Sequence, residues 1–174
     1  QALADALASG KYPSGLRVEL GCNNIGDESA QALAEALVSG KCISLDIPVN
    51  RIGDEGAQAL AEALGSGNCP SGLRLNLEGN EFGDKGAQAL AEALASGNCP
   101  SGLHLNLEDN YNIGDKGAQA FADALASGKC ISELQLYLGV NRIGDEGAQA
   151  LAEALVSGNC PSGLQISLYH NRIG

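Results

Sequence analysis

Tryptophan and methionine are absent from this 174-residue chain, and aromatic residues make up only 3% of it. A core of this composition rests on Leu, Ile, Val and Ala, which suits thin, regularly stacked layers. Basic residues are also scarce: 10 Lys and Arg stand against 21 Asp and Glu, for a net charge of −11. A nucleic-acid binder carries a basic footprint, so no nucleic-acid partner is expected. A protein partner with a basic surface is expected instead. No run approaches the roughly 18 apolar residues of a membrane-spanning helix, so no membrane insertion is expected. There is no Cys-x-x-Cys pair to hold a metal and no Gly-x-x-x-x-Gly-Lys-Ser/Thr loop to hold a phosphate. With no nucleophile or cofactor motif, the chain reads as a non-enzyme that takes no cofactor. No secretory leader is visible in these residues either. Gln1 opens inside a repeat, so residues 1–174 read as one domain and as a segment of a longer protein.

What is present is repetition. The stretch from Gly83 to Leu94, Gly-Asp-Lys-Gly-Ala-Gln-Ala-Leu-Ala-Glu-Ala-Leu, recurs with small changes from Gly53, Gly114 and Gly144. A weaker copy starts at Gly26, with Ser29 in place of a glycine, and the tail of another opens the chain. Successive copies are 27, 30, 31 and 30 residues apart. Periods of this size mark a solenoid, whose units bury a continuous core between neighbours. Within a copy, Ala87, Leu90, Ala91 and Leu94 form the stripe of an amphipathic helix. Asp84 is expected to be its N-cap, and Gly97 its left-handed terminator. Gln88 and Glu92 are expected to face solvent, while Ala89 and Ala93 allow close helix approach.

Each helix is followed by a period-two run such as Leu73-Arg74-Leu75-Asn76-Leu77. Six such runs, separated by helices, must form parallel strands joined by right-handed crossovers. Each ends in an asparagine: Asn23, Asn50, Asn80, Asn110, Asn141 and Asn171. An apolar residue then plugs the turn, as at Ile52 or Phe82. The pattern Leu-x-Leu-x-Leu-x-x-Asn-x-Ile/Phe-Gly-Asp, followed by a helix, resembles the leucine-rich repeat of the ribonuclease-inhibitor-like class. Its near-identical, alanine-rich copies are most similar to repeats in effectors of intracellular bacteria. The resemblance implies an α/β right-handed horseshoe solenoid with a concave parallel sheet and convex helices. Six strands, five complete helices and an N-terminal partial helix are expected. It also implies that the six asparagines turn inward as a hydrogen-bonded ladder. Two departures stand out: the 27-residue repeat lacks the Pro-Ser-Gly entry seen at Pro70, and the turn from Asn110 to Ile113 holds one extra residue. Both put local strand register in question.

Cys42, Cys69, Cys99, Cys130 and Cys160 occupy one slot after the helix-ending glycine. They read as a file of buried thiols packing like small apolar residues, which favours a reducing, intracellular compartment. For a secreted bacterial effector that compartment is the host cytosol. His104 and His170 have no triad-type partner, and Arg51 and Arg142 read as solvated turn residues. Variation concentrates on the outward strand positions and following turns. The candidate protein-binding residues are Arg17, Glu19, Asp46, Arg74, Asn76, Glu78, His104, Asn106, Glu108, Asp109, Tyr137, Tyr169 and His170. The helix surface, by contrast, repeats Gln and Glu almost unchanged. The leading expectation is therefore a protein–protein interaction module binding through the concave sheet. A regulator on the same fold, inhibiting an enzyme or resembling the GTPase-activating proteins of the Ran type, is a second reading. A structural or engineered scaffold whose open sheet ends self-associate end to end is a third.

Overall fold

The computed structural model describes residues 2–174, apart from the side chains of residues 4, 5 and 8. Gln1, which begins the first partial copy, lies outside them. Helices and strands alternate: α1 (Ala2–Ala8), β1 (Leu16–Glu19), α2 (Asp27–Val38), β2 (Cys42–Asp46), α3 (Asp54–Leu64), β3 (Arg74–Asn76), α4 (Asp84–Ala95), β4 (His104–Asn106), α5 (Asp115–Ala126), β5 (Gln135–Tyr137), α6 (Asp145–Val156) and β6 (Gln165–Ser167). The six strands form one parallel sheet in sequence order, and each helix packs on the next. This is the α/β solenoid that the repeat interval predicts.

The core lies between the two layers. Leu73, Leu75, Leu77, Leu103, Leu105 and Leu107 are fully buried on the sheet side, and Leu60, Leu90 and Phe121 on the helix side. Truncating one such leucine to alanine costs about 2–5 kcal/mol. The turn plugs Ile52, Phe82, Ile113 and Ile143 are equally buried. Neighbouring helices meet at glycine: a Cβ at Gly86 would stand 2.9 Å from both Ala57 Cβ and Phe82 Cβ. Gly97 has φ +78, and Gly40, Gly67, Gly128 and Gly158 share that left-handed conformation, as expected of helix terminators. Gln88 and Glu92 are exposed and bonded to each other at 2.9 Å.

The asparagine ladder is formed. Asn80 Nδ2 donates to Leu77 O and Glu78 O in its own turn and to Ile47 O in the preceding one, while its Oδ1 accepts from Ile52 N. Asn50, Asn110, Asn141 and Asn171 likewise donate across to the preceding repeat. Asn23, in the first strand turn, is exposed and, among the described residues, bonds Leu20 O and Gly21 O in its own turn. The register question resolves at the two irregular intervals. Leu16 pairs with Cys42 but Arg17 pairs with Ser44, so Ile43 bulges where the short repeat enters β2. In the long repeat, Ile113 N bonds back to Asn110 O, and Asn141 Oδ1 is left buried without a partner.

The expected N-cap role of Asp84 is corrected. Gly83 caps α4, without a side-chain bond, and Asp84 is the first helical residue. Its Oδ1 instead accepts from Gly114 N at 2.8 Å and Gly117 N at 2.9 Å, at the start of the following helix. Asp27, Asp54 and Asp115 bridge to the next repeat in the same way. Helices α3 to α6 each have a glycine where a capping side chain would stand, and the preceding repeat supplies the oxygen. The local reading failed because an aspartate at a helix start has two sets of free amides within reach, its own and its neighbour's.

Candidate binding surface

Strand register sorts the outward side chains into files across the sheet. Arg17, Ser44, Arg74, His104, Gln135 and Gln165 lie side by side in one file. Glu19, Asp46, Asn76, Asn106, Tyr137 and Ser167 form the next. The first residues of the following turns, among them Glu78, Glu108 and Tyr169, extend the surface along the strand direction. The open sheet face is therefore divided lengthwise, with its arginines at the strand starts and its carboxylates toward the strand ends. A cleft of about 210 Å³ lies between the two, lined by Arg17, Glu19, Asp46, Arg74, Asn76 and His104 among others.

Neutral donors hold the carboxylates in place. Asn76 Nδ2 donates to Asp46 Oδ1 at 2.7 Å, and Asn106 Nδ2 to Glu78 Oε2 at 3.4 Å. Tyr169 OH donates to Glu108 Oε2 at 2.9 Å across two repeats. That reach depends on Gly139, where a Cβ would stand 2.4 Å from the Tyr169 ring. The hydrogen bond to Glu108 is the main cause raising the Tyr169 phenol above its ordinary value, with the charges of Glu108, Glu78 and Asp109 adding to it. His104 Nδ1 lies 3.0 Å from Gln135 Oε1, and its ring is 4.8 Å from that of Tyr137. Burial pushes the His104 imidazole below the usual histidine range, with Arg74 adding to the shift, so near neutral pH this file is basic through its arginines.

The predicted residues thus fall into two groups. Arg17 through Tyr137 share the sheet face, while Glu78, Glu108, Asp109, Tyr169 and His170 lie along the turns at its edge. Asp109 and His170 occupy the position before the ladder asparagine, which is left-handed in every repeat: Cys22, Val49, Asp109, Val140 and His170 have φ between 51 and 57, and Gly79 has φ 64. The periodicity did not bring out Val49, Tyr111 or the clearance at Gly139. Val49 and Tyr111 are more than half exposed, as is nearly half of Tyr169, so apolar surface collects along the turn edge. The one legible signal was Gly139 itself, a residue without a side chain where the two preceding repeats carry glutamate.

The cysteines form the expected file, with one correction. Sγ of Cys69, Cys99, Cys130 and Cys160 donates to the carbonyl six residues back in the preceding helix, whereas Cys42 lies within β2 and donates to Ser44 O. Burial raises the thiols of Cys69 and Cys130 to about 11 and that of Cys99 to about 12. Among the described residues, no group of three His, Cys, Asp or Glu side chains could hold a metal ion, and no helix is long and apolar enough to cross a membrane.

No curated protein matches this sequence. Among solved structures 51 chains match. One, titled "Leiomodin-1 Actin-Binding Site 2 (ABS2)", is 21% identical, with a TM-score of 0.64 over 90% of this chain and 86% of that one. At this identity the likeness speaks to the fold alone. The family described as Leucine Rich repeat matches five segments, 16–34, 44–61, 73–91, 103–122 and 134–152. Each segment takes in all or most of one of the strands β1 to β5 and enters the helix after it, and together they cover just over half of the sequence, so the chain belongs to the leucine-rich repeat family.

Proposed function

We propose that the chain is a protein-binding module that engages its partner through the open sheet face and the adjoining turns. The observation that carries this reading is the contrast between its two surfaces. The helix face repeats the Gln58–Glu62, Gln88–Glu92, Gln119–Asp123 and Gln149–Glu153 pairs almost mechanically. On the sheet face no two of the six repeats present the same pair of side chains. One partner contacted at several different points would need such divergence. The matched structure whose title names an actin-binding site is in keeping with a protein partner. In this reading the 174 residues act as one domain without catalysis or cofactor. The unpaired thiols suit a reducing, intracellular compartment, as in the ribonuclease-inhibitor-like and bacterial-effector groups that the repeats resemble.

The test compares capture of one identified partner by four proteins. Arg74→Glu and Glu78→Lys are expected to lose it, while Glu62→Lys and Glu92→Lys on the helix face keep it, all with unchanged circular dichroism. Loss through the helix-face variants alone would overturn the assignment of the face.

A second reading, stacking of copies end to end, has its own observation. Leu94 is fully buried between repeats, yet its counterpart Leu155 in α6 is 45% exposed, and Val156 beside it is 85% exposed. Ile173 is 46% exposed where Ile143 is fully buried. Through Leu155 and Ile173 the last repeat thus offers a following unit the apolar groups that the inner joints bury. Light scattering at rising concentration tests this. Leu155→Lys would abolish any growth in mass, and a monomer at every concentration would rule the reading out.

A further inference from the structure

We propose that the cleft over β2 receives an extended peptide segment carrying an acidic and a basic side chain two positions apart. The acidic side chain lies between Arg17 and Arg74, and the basic one against Glu19 and Asp46. The inference rests on the sheet-face reading above and specifies the chemistry of the partner.

Opposite charges stand in this cleft without neutralising each other. Arg17, Ser44 and Arg74 are level with one another across β1, β2 and β3. Glu19, Asp46 and Asn76 are level two positions further along the same strands. Among the described residues, none bonds or forms an ion pair with the side chains of Arg17, Glu19 or Arg74. Asp46 has one donor, Asn76 Nδ2 at 2.7 Å. A carboxylate offers about four lone-pair sites, so Asp46 is held in place with acceptor capacity to spare. A ligand of one sign is attracted by one file and repelled by the other. A ligand with both signs, each over its opposite, is attracted by both files and displaces no existing ion pair.

Size and spacing define the form of that ligand. The cleft holds about 210 Å³. Pockets that enclose a small molecule are larger, roughly 300–1,000 Å³, so this one suits side chains projected by a larger partner. Neighbouring strands lie about 4.8 Å apart, which puts about 9.6 Å between the backbones at Arg17 and Arg74. The short side chain of Ser44 leaves a lane along β2 between these two long ones. A helix, about 10–12 Å across with its side chains, cannot enter a lane of that width. An extended chain can, and its same-face side chains two positions apart stand about 6.6 Å from each other. The two files have that same separation, being two strand positions apart themselves. One side chain therefore reaches Ser44 between the guanidiniums while the next on that face reaches Asp46 and Glu19. Arginine binds carboxylates through paired N–H···O bonds, which assigns the acidic side chain to the first position.

The test uses short peptides built on glycine and serine, which stay non-helical because isolated helices below about 12 residues are marginal in water. One carries Glu and Lys two positions apart and is made in both orders; two others replace the Glu or the Lys by Gln. Each is titrated into the isotope-labelled protein, and NMR shifts of backbone amides and arginine Nε–H groups report both affinity and place. The two-charge peptide, in at least one order, is expected to give saturable shifts centred on Ser44 and Arg74 and to bind about fivefold more tightly than either single-charge peptide. Arg17→Gln/Arg74→Gln should remove the advantage of the Glu without weakening the Lys-only peptide. Glu19→Gln/Asp46→Asn should remove the advantage of the Lys without weakening the Glu-only peptide. Equal binding of the Lys-only and two-charge peptides, or equal losses of both single-charge peptides in one variant, would reduce the effect to diffuse attraction by net charge and overturn the proposal. Partner capture separates this failure from failure of the broader reading. If Glu78→Lys releases the partner while Arg17→Gln/Arg74→Gln retains it, the sheet face remains the binding surface and the cleft over β2 is ruled out as the seat.

Discussion

Replacing Asp84 by alanine tests whether the joints between repeats depend on carboxylates that cap the neighbouring helix. Asp84 Oδ1 accepts two amides of α5, Gly114 N at 2.8 Å and Gly117 N at 2.9 Å. Hydrogen bonds to a charged group contribute about 1.5–3 kcal/mol each. Part of that returns as water reaches the amides, because Asp84 is only partly buried. A net loss of about 2–3 kcal/mol follows, or roughly 5–10 °C in Tm for a chain of this length. Asp84 also sits in the first turn of its own helix, where a negative charge contributes about 0.3–1 kcal/mol through the dipole. Asp145 provides the subtraction. It occupies the same place in α6, but among the described residues its Oδ1 accepts one amide, Gly174 N, in exposed surroundings. Asp145→Ala therefore carries the dipole loss with little of the bridge, and about 1 kcal/mol or less is expected. Asp84→Asn keeps an acceptor oxygen and loses the charge, so it should fall between the two. Urea unfolding followed by far-UV circular dichroism measures all three, and amide hydrogen exchange at Gly114 and Gly117 locates the effect. Equal losses for Asp84→Ala and Asp145→Ala, or unchanged exchange at the two glycines, would show that the bridge contributes nothing.

Three further outcomes follow from the same geometry. Asn80→Ala strands the buried amide of Ile52 and should cost about 1–3 kcal/mol. Asn141→Ala removes an oxygen that already lacks a partner, so urea unfolding should show it about 1 kcal/mol milder; the reverse order would contradict the broken rung. Val49 holds φ 53, which costs a β-branched residue about 1–2 kcal/mol. Since its side chain is half exposed, Val49→Asn should raise Tm by a few degrees, and a lower Tm would mean that packing against Gly79 outweighs the strain. Finally, the thiols of Cys69, Cys99 and Cys130 are raised from 9.0 to about 11, 12 and 11. The folded state retains their protons longer than the unfolded state, so the stability they contribute is complete below pH 9 and lost as pH rises toward 12. Stability measured against pH should fall across that window, and less steeply in Cys69→Ala/Cys99→Ala/Cys130→Ala; identical slopes would remove the thiols as the cause.

The fold was legible because every repeat states the same two periodicities, and six repetitions leave little room for an accidental pattern. The strand leucines, the turn plugs, the glycine terminators and the inward asparagines all follow from position within one copy. The aspartates did not, because their partners lie 26 to 33 residues away in the next copy. Sequence spacing says that such a carboxylate stands at a helix start, but not whose amides it meets. On the sheet face, alternation showed which residues point outward, yet not that Tyr169 crosses Gly139 to Glu108. That contact depends on a missing side chain in the repeat between them.

Irregular intervals, rather than irregular residues, mark where the architecture yields. Four of the five strand pairs keep one register, and the exception, the bulge at Ile43, falls at the 27-residue interval. Among the described residues, the one buried ladder oxygen without a partner, Asn141 Oδ1, falls at the 31-residue interval. In a stacked chain each joint is copied from the last, so a change of length cannot be absorbed by a distant loop and must appear at the joint where it occurs. The extra residue beside Asn110 leaves the ladder one bond short, yet it places Tyr111 outside the turn and more than half exposed, next to Asp109 at the acidic edge. Here the defect and the candidate surface coincide: a rung of stability is given up at the position that gains an exposed aromatic. Deleting Tyr111 should therefore move stability and partner binding in opposite directions, a pairing that an insertion with only structural consequences would not produce.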